Sequence, residues 1–310
     1  MAKPTEFWDQ QIVSRERHEQ GWLARLPVRL YVNESISRQQ PSLWPIDWLR
    51  QRRGNKVWRR GLSIGCGDGS LERALIKTNL SERLDALDGS MGSLATATRA
   101  AREEGLADRI HYFAADFNTL HLPRSTYDVV FCNQSLHHVA ALEYLMVQIR
   151  RALTEGGTLY IDEYIGPSRD AWSEQRIAAQ RAIYASLPRE WRLTEELAYP
   201  VEEADPSEAV RSEEILRVLQ TSFDVEERRD YGGTLLALLV PMIDWTRAPE
   251  TLVDDLIARE REMLAAGAES YYTIVLGRPR SGLRGLISDW RQRLDALMSE
   301  AQGVSYRRGG

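Results

Sequence analysis

Two cysteines, Cys66 and Cys132, are all that 310 residues contain; that is too few for a disulfide framework, and free thiols are expected. A basic excess is missing too. Against 45 Asp and Glu stand 40 Lys and Arg, a net charge of −5, without the basic face that nucleic-acid binding draws on. Long apolar runs are absent: the longest, Leu235 to Ile243, is too short to span a bilayer and contains Pro241. The opening Met1-Ala2-Lys3-Pro4-Thr5-Glu6 lacks the charged-then-apolar order of a secretion signal, so a cytoplasmic protein is expected. No histidine stands in a spacing to cysteine or carboxylate that resembles a zinc site, and no metal is expected. Internal repeats and low-complexity segments are lacking. What remains is a 43% hydrophobic chain, long enough for a full core and one or two domains.

The most informative stretch is Gly65-Cys66-Gly67-Asp68-Gly69, directly after the apolar run Gly61 to Ile64. It reads as a strand entering a glycine turn and then a helix from Ser70 to about Thr78. Such a turn lets a ligand lie against bare backbone at a helix N-terminus. About twenty residues on, Leu84-Asp85-Ala86-Leu87 ends in Asp88, placed to accept the hydroxyls of a ribose. Turn and acid together point to an adenosine-containing cofactor. Ser70 stands where the dinucleotide fingerprint needs glycine or alanine, and no Gly-x-x-x-x-Gly-Lys-Ser/Thr occurs.

Gly-x-Gly-x-Gly followed by Asp88-Gly89-Ser90-Met91 resembles the class I S-adenosylmethionine-dependent methyltransferases. The likeness runs through a third strand ending in Asp116-Phe117 and a fourth, Tyr127 to Cys132, followed by Asn133. After that, Ser135-Leu136-His137-His138-Val139 is similar to the quinone-biosynthesis type and its small-molecule relatives. A fifth strand, Thr158 to Glu163, completes it. This resemblance implies S-adenosylmethionine as cofactor and S-adenosylhomocysteine as product. Gly65, Cys66, Gly67, Asp68 and Gly69 would cradle it, with Asp88, Gly89 and Met91 at the ribose, Asp116 on the adenine amino group, Phe117 beside the ring, and Asn133 at the strand end. Ser63 departs from the pattern, because many members carry an acid there that helps hold the methionine amino group.

Strand–helix alternation from Gly61 to Glu163 implies an α/β fold with a doubly wound parallel sheet. The resemblance extends this to a Rossmann-like seven-stranded sheet with an antiparallel last strand. Residues 1–50 read as N-terminal helices over the cofactor pocket, rich in aromatics (Trp8, Trp22, Tyr31, Trp44, Trp48) that equally suit packing on the core. Residues 51–166 are the cofactor-binding core, 167–222 a helical lid inserted after the fifth strand, and 223–279 the last two strands and a helix. Residues 280–310 carry an amphipathic helix (Leu283, Leu286, Ile287, Trp290, Leu294, Leu297) that docks on its own domain or in a homodimer, and a flexible tail.

Methyl transfer from a sulfonium needs mainly alignment and exclusion of water, worth roughly 7–11 kcal/mol. A general base adds perhaps 10²–10⁴-fold for a hydroxyl acceptor. His137, His138 and Glu163 are the candidates for catalysis, and the paired histidines could equally shape the pocket. Tyr164, Arg169 and Trp172 are candidates for holding the acceptor, or else Glu163 and Arg169 pair to fix the lid hinge. Ser207 reads as a helix cap within solvated charge. Asp162, Glu163 and Asn133 are the oxygens a magnesium site would use, though none is expected. The expected function is methylation of a small-molecule or glycan-like acceptor at a hydroxyl oxygen. The alternatives are N-methylation of an amino sugar or amine, and a non-catalytic cofactor-binding partner subunit.

Overall fold

Val129, Val130, Phe131 and Cys132 are all fully buried, the signature of a central strand covered by helices on both faces. The computed structural model that places them describes residues 21–280, apart from 55, 202 and 203. In chain order its main elements begin with α1 (Leu26–Ser37), α2 (Pro45–Arg53), β1 (Gly61–Ile64), α3 (Ser70–Lys77), β2 (Leu84–Asp88), α4 (Met91–Glu103), β3 (Ile110–Ala114) and β4 (Tyr127–Asn133). They continue with α5 (Leu142–Ala152), β5 (Leu153–Tyr164), α6 (Glu174–Ser186), α7 (Ile215–Ser222), β6 (Phe223–Gly232), α8 (Leu236–Leu239), α9 (Leu252–Ala265) and β7 (Tyr272–Pro279).

The strands form one sheet in the order β3-β2-β1-β4-β5-β7-β6. The first five run parallel, and β7 lies antiparallel between β5 and β6. This is the expected doubly wound seven-stranded sheet. Alternation along β4 divides the core: Val130 and Cys132 pack on one face with Leu142, Leu145, Met146 and Ile149 of α5, while Val129 and Phe131 face the other with Leu75 and Ile76 of α3. The chain order reverses between β1 and β4, and beyond their carboxyl ends such a sheet leaves a crevice.

Three expectations change. The described N-terminal aromatics do not cover the crevice. Trp22 packs instead on Tyr231 of β6 and Tyr272 of β7, at ring-centroid distances of 6.4 and 5.0 Å. The helix read from Asp170 begins only at Glu174, where the Ser173 hydroxyl caps it by accepting the Arg176 N–H. Nor is that helix a loose cover, because Ile177, Gln180 and Tyr184 are buried in the core and the Tyr184 hydroxyl donates to the Met242 carbonyl at 3.0 Å. Trp8 and the amphipathic helix after 280, with its proposed dimer contact, lie outside the described residues. Among those described, no helix is long and apolar enough to cross a membrane.

Candidate active site

β1 delivers the chain into the glycine turn, where Gly65, Gly67 and Gly69 have φ of 74, 52 and 74°. A Cβ on Gly65 would fall 2.3 Å from the Ser135 Cβ, and one on Gly69 2.5 Å from the Tyr112 hydroxyl. Both positions thus need glycine for backbone and for space. Asp88, at the tip of β2, accepts the Gly67 N–H on Oδ2 and the Ser90 N–H on Oδ1, each at 2.8 Å. It braces the turn while lining the crevice.

That crevice is a cavity of about 720 Å³. Gly65, Gly67, Asp88, Gly89, Met91, Asp116 and Phe117 line it together with Gln134, Ser135, His138 and Ser207. A hollow of about 900 Å³ beside α2 and the loop after α3 lies at the amino ends of the strands, where this fold does not place its ligands. The other residues named for the cofactor stand back from the cavity. Gly69 caps α3, Asp68 accepts the Ser70 N–H at 3.0 Å, and Asn133 is half-buried at the end of β4. Cys66 is buried, and burial pushes its thiol well up. Both cysteines are free.

Glu163 is fully buried, so it is not available as a base or as a ligand for an acceptor hydroxyl. Its Oε2 accepts the N–H groups of Ser135 and Leu136 at 2.8 and 2.6 Å. Its Oε1 takes the Tyr164 N–H at 2.8 Å and lies 2.5 Å from His137 Nδ1. Burial opposes a charge on His137, but Glu163, with Glu208 and Asp205 behind it, outweighs burial and pushes the imidazole up to about 9. His137 is therefore a buried cation at neutral pH and cannot take up a proton. His138 differs: burial and the neighbouring His137 charge pull it down to about 2, which leaves it neutral beside the cavity.

Three residues beside the histidines were not expected there. Asp205, fully buried, accepts the Ser207 N–H and hydroxyl on Oδ1 at 2.8 and 2.6 Å. With its own hydrogen committed, the Ser207 oxygen accepts from His138 Nδ1 at 3.2 Å. Glu208 approaches Nε2 of both histidines at 3.7 Å. Ser207 is thus no helix cap; α7 starts only at Ile215. The only sequence signal was the run Asp205-Pro206-Ser207-Glu208, a polar turn that capping explains equally well.

Tyr164, Arg169 and Trp172 do not line the cavity. The Tyr164 hydroxyl donates to the Pro167 carbonyl, Arg169 Nη1 to the Asp205 carbonyl, and Trp172 packs edge-on against Tyr271. A Glu163–Arg169 pair does not form, since each is committed elsewhere. The magnesium set does not assemble either, because Asp162 and Glu163, adjacent on β5, point to opposite faces. Asp162 Oδ1 instead receives the Tyr231 hydroxyl at 2.5 Å.

Residues 62–161 match a family described as a methyltransferase domain. The match covers about a third of the chain, including the glycine turn, Asp88 and the loop after β4. Sterol 24-C-methyltransferase erg6 of Aspergillus fumigatus is 27% identical over 118 residues, 38% of this chain and 31% of that protein. A chain in the complex between the Haloferax volcanii Trm112 methyltransferase activator and the putative methyltransferase superposes with a TM-score of 0.54 at 16% identity, covering 91% of this chain and 100% of that one. Phosphoethanolamine N-methyltransferase 2 of Haemonchus contortus, in complex with S-adenosyl-L-methionine, gives 0.52 at 17%, covering 90% and 61%. The chain spans well under half the length of the sterol methyltransferases it matches, 31% and 40% of the first two. These relatives are sterol methyltransferases and not quinone-biosynthesis enzymes.

Proposed function

We propose that this protein transfers a methyl group from S-adenosylmethionine to a hydroxyl oxygen of a small molecule. The observation that carries this is the single cavity shared by the glycine turn, Asp88 and His138. The cofactor, when bound, supplies an already activated methyl group. The protein's own residues then have three tasks. Gly65 and Gly67 let the ligand lie on bare backbone, while Asp88 presents its carboxylate at the ribose position and Asp116 and Phe117 flank the adenine position. Glu163 locks the loop after β4, so that His138 stands at the acceptor end. The Asp205–Ser207 turn closes that end and excludes water. As the acceptor oxygen takes the methyl group it becomes strongly acidic, and its proton passes to Nε2 of the neutral His138.

The test is isotope-labelled S-adenosylmethionine incubated with the protein and fractionated metabolite pools. Label recovered in an ether-linked methyl group is the expected result. Label on nitrogen would move the acceptor to an amine. Tight S-adenosylhomocysteine binding with no labelled product from any pool would make the protein a cofactor-binding partner instead.

A further inference from the structure

We propose that His137, His138 and Glu208 bind one divalent transition-metal ion, through Nε2 of both imidazoles and the Glu208 carboxylate. One ligand atom from each lies within 4.8 Å of the others, and Glu208 stands 3.7 Å from each Nε2. Ligands on one tetrahedral ion with bonds of about 2.0–2.1 Å are about 3.3–3.4 Å apart, so Glu208 already stands within a few tenths of an ångström of that spacing from each Nε2, and side-chain adjustment would complete the site. The rings are already side by side, with centroids 4.1 Å apart.

The groups behind the two histidines are what separate this cluster from a chance gathering of polar side chains. Metal-bound imidazoles are held by a carboxylate or carbonyl on their other nitrogen. Here Glu163 Oε1 holds His137 Nδ1 at 2.5 Å, and Ser207 Oγ holds His138 Nδ1 at 3.2 Å, itself anchored on Asp205. Both Nε2 atoms are thereby turned towards Glu208. A second, independent observation concerns Asp205. Its Oδ2 is buried with no hydrogen-bond partner, 3.6 Å from His138 Nδ1, in a residue with no exposed surface. Leaving a buried carboxylate oxygen unsatisfied is costly. An ion on Nε2 would polarise the Nδ1–H and draw it onto that oxygen.

Charge agrees. Three carboxylates, Glu163, Asp205 and Glu208, surround two imidazoles; the ion takes the place of any Nε2 proton, and with both rings neutral three negative charges face it. Two imidazoles and one carboxylate select a zinc-, cobalt- or iron-like ion over magnesium, which prefers oxygen ligands throughout. With three protein ligands a position stays open, and His138 and Ser207 put it at the cavity wall. The role of the ion rests on the methyl-transfer reading: an acceptor hydroxyl in the open position would give up its proton near neutral pH. The binding site itself does not depend on that reading.

The experiment uses the untagged full-length protein, freed of metal by a chelator and titrated with Co²⁺, then with Zn²⁺. One Co²⁺ per chain with a visible ligand-field band, displaced by Zn²⁺, is expected. Asp205→Asn should weaken Co²⁺ binding about 10–100-fold, the range for residues behind metal ligands, and Glu208→Gln at least as much. S-adenosylhomocysteine affinity, measured in parallel, should stay within about threefold in both variants, which confirms that they fold. No Co²⁺ band at millimolar metal, or both variants binding Co²⁺ like the parent, would overturn the site. Intact metal binding without S-adenosylhomocysteine binding would instead sink the methyl-transfer reading and leave the site standing.

Discussion

Glu163 Oε1 sits 2.5 Å from His137 Nδ1, and the same carboxylate gathers three backbone N–H groups from the loop after β4 and the end of β5. A residue placed like this organises others. It fixes where His138 stands without meeting the substrate.

The first prediction concerns that pair. His137 is raised from an unfolded value of about 6.5 to about 9, so the folded chain binds the extra proton between those values. The stabilisation is complete below about pH 6.5 and is lost as the pH rises through about 9. Urea unfolding across that range should show the decline, and Glu163→Gln should flatten it. Glu163→Ala, which leaves a buried cation uncompensated, should cost about 3–5 kcal/mol. A parent protein equally stable at pH 6.5 and 9.5 would dismiss the charged pair.

Asp88→Ala should weaken S-adenosylmethionine binding by about 1.5–3 kcal/mol, the scale of hydrogen bonds to a charged group. Part of that loss comes through the turn, since Asp88 also holds Gly67 and Ser90. Calorimetry on the folded variant checks it, and unchanged affinity would displace the cofactor from this end of the cavity.

Glu72 offers a pH effect of the same sign in a lower window, from a different cause. It is fully buried on α3, neither carboxylate oxygen has a hydrogen-bond partner, and burial pushes it up to about 7. The folded state holds the extra proton between about 4.5 and 7, so stability falls as the pH rises through that window. Glu72→Gln should therefore gain about 1–3 kcal/mol at pH 8 and little at pH 4. Denaturation midpoints at the two pH values decide it.

His138→Ala should lower kcat while leaving cofactor affinity near normal, by less than the roughly 10²–10⁴-fold of a base matched to the working pH, because His138 is a weak base. Steady-state kinetics paired with S-adenosylhomocysteine calorimetry separates the two. A variant with full kcat would remove His138 from acceptor activation.

Hydrogen exchange should locate the closing segment. With Ile177, Gln180 and Tyr184 buried, α6 should be protected with or without ligand. The turn from Asp205 to Arg211, tied to the core by the Val210 N–H on the His137 carbonyl, should slow when S-adenosylhomocysteine binds. Slowing confined to α6 would reverse that assignment.

The cofactor side of the cavity was legible because its signals are local. Glycines at fixed offsets, an acid at a strand tip and the switch from strand to helix all lie within short windows of sequence. The acceptor side was not. Ser207 meets His138 across 69 positions of chain, and nothing in a polar turn says which loop it will return to. Glu163 was visible as a strand-end acid, but alternation along a strand gives only its face, not the N–H groups waiting there. Trp22 was misplaced for a related reason: helical spacing reveals an apolar side without saying which edge of the sheet receives it.

The place of β7 between β5 and β6 governs how the sheet closes during synthesis. β6 ends at Gly232 and β7 begins at Tyr272, so 40 positions separate the two partners. At about 5–20 residues per second that gap takes roughly 2–8 s to translate. Throughout that interval β5 keeps an open hydrogen-bonding edge, and β6 has no neighbour in the sheet. The newborn chain is then most exposed to pairing with other chains, and a holding chaperone would find its target along β5.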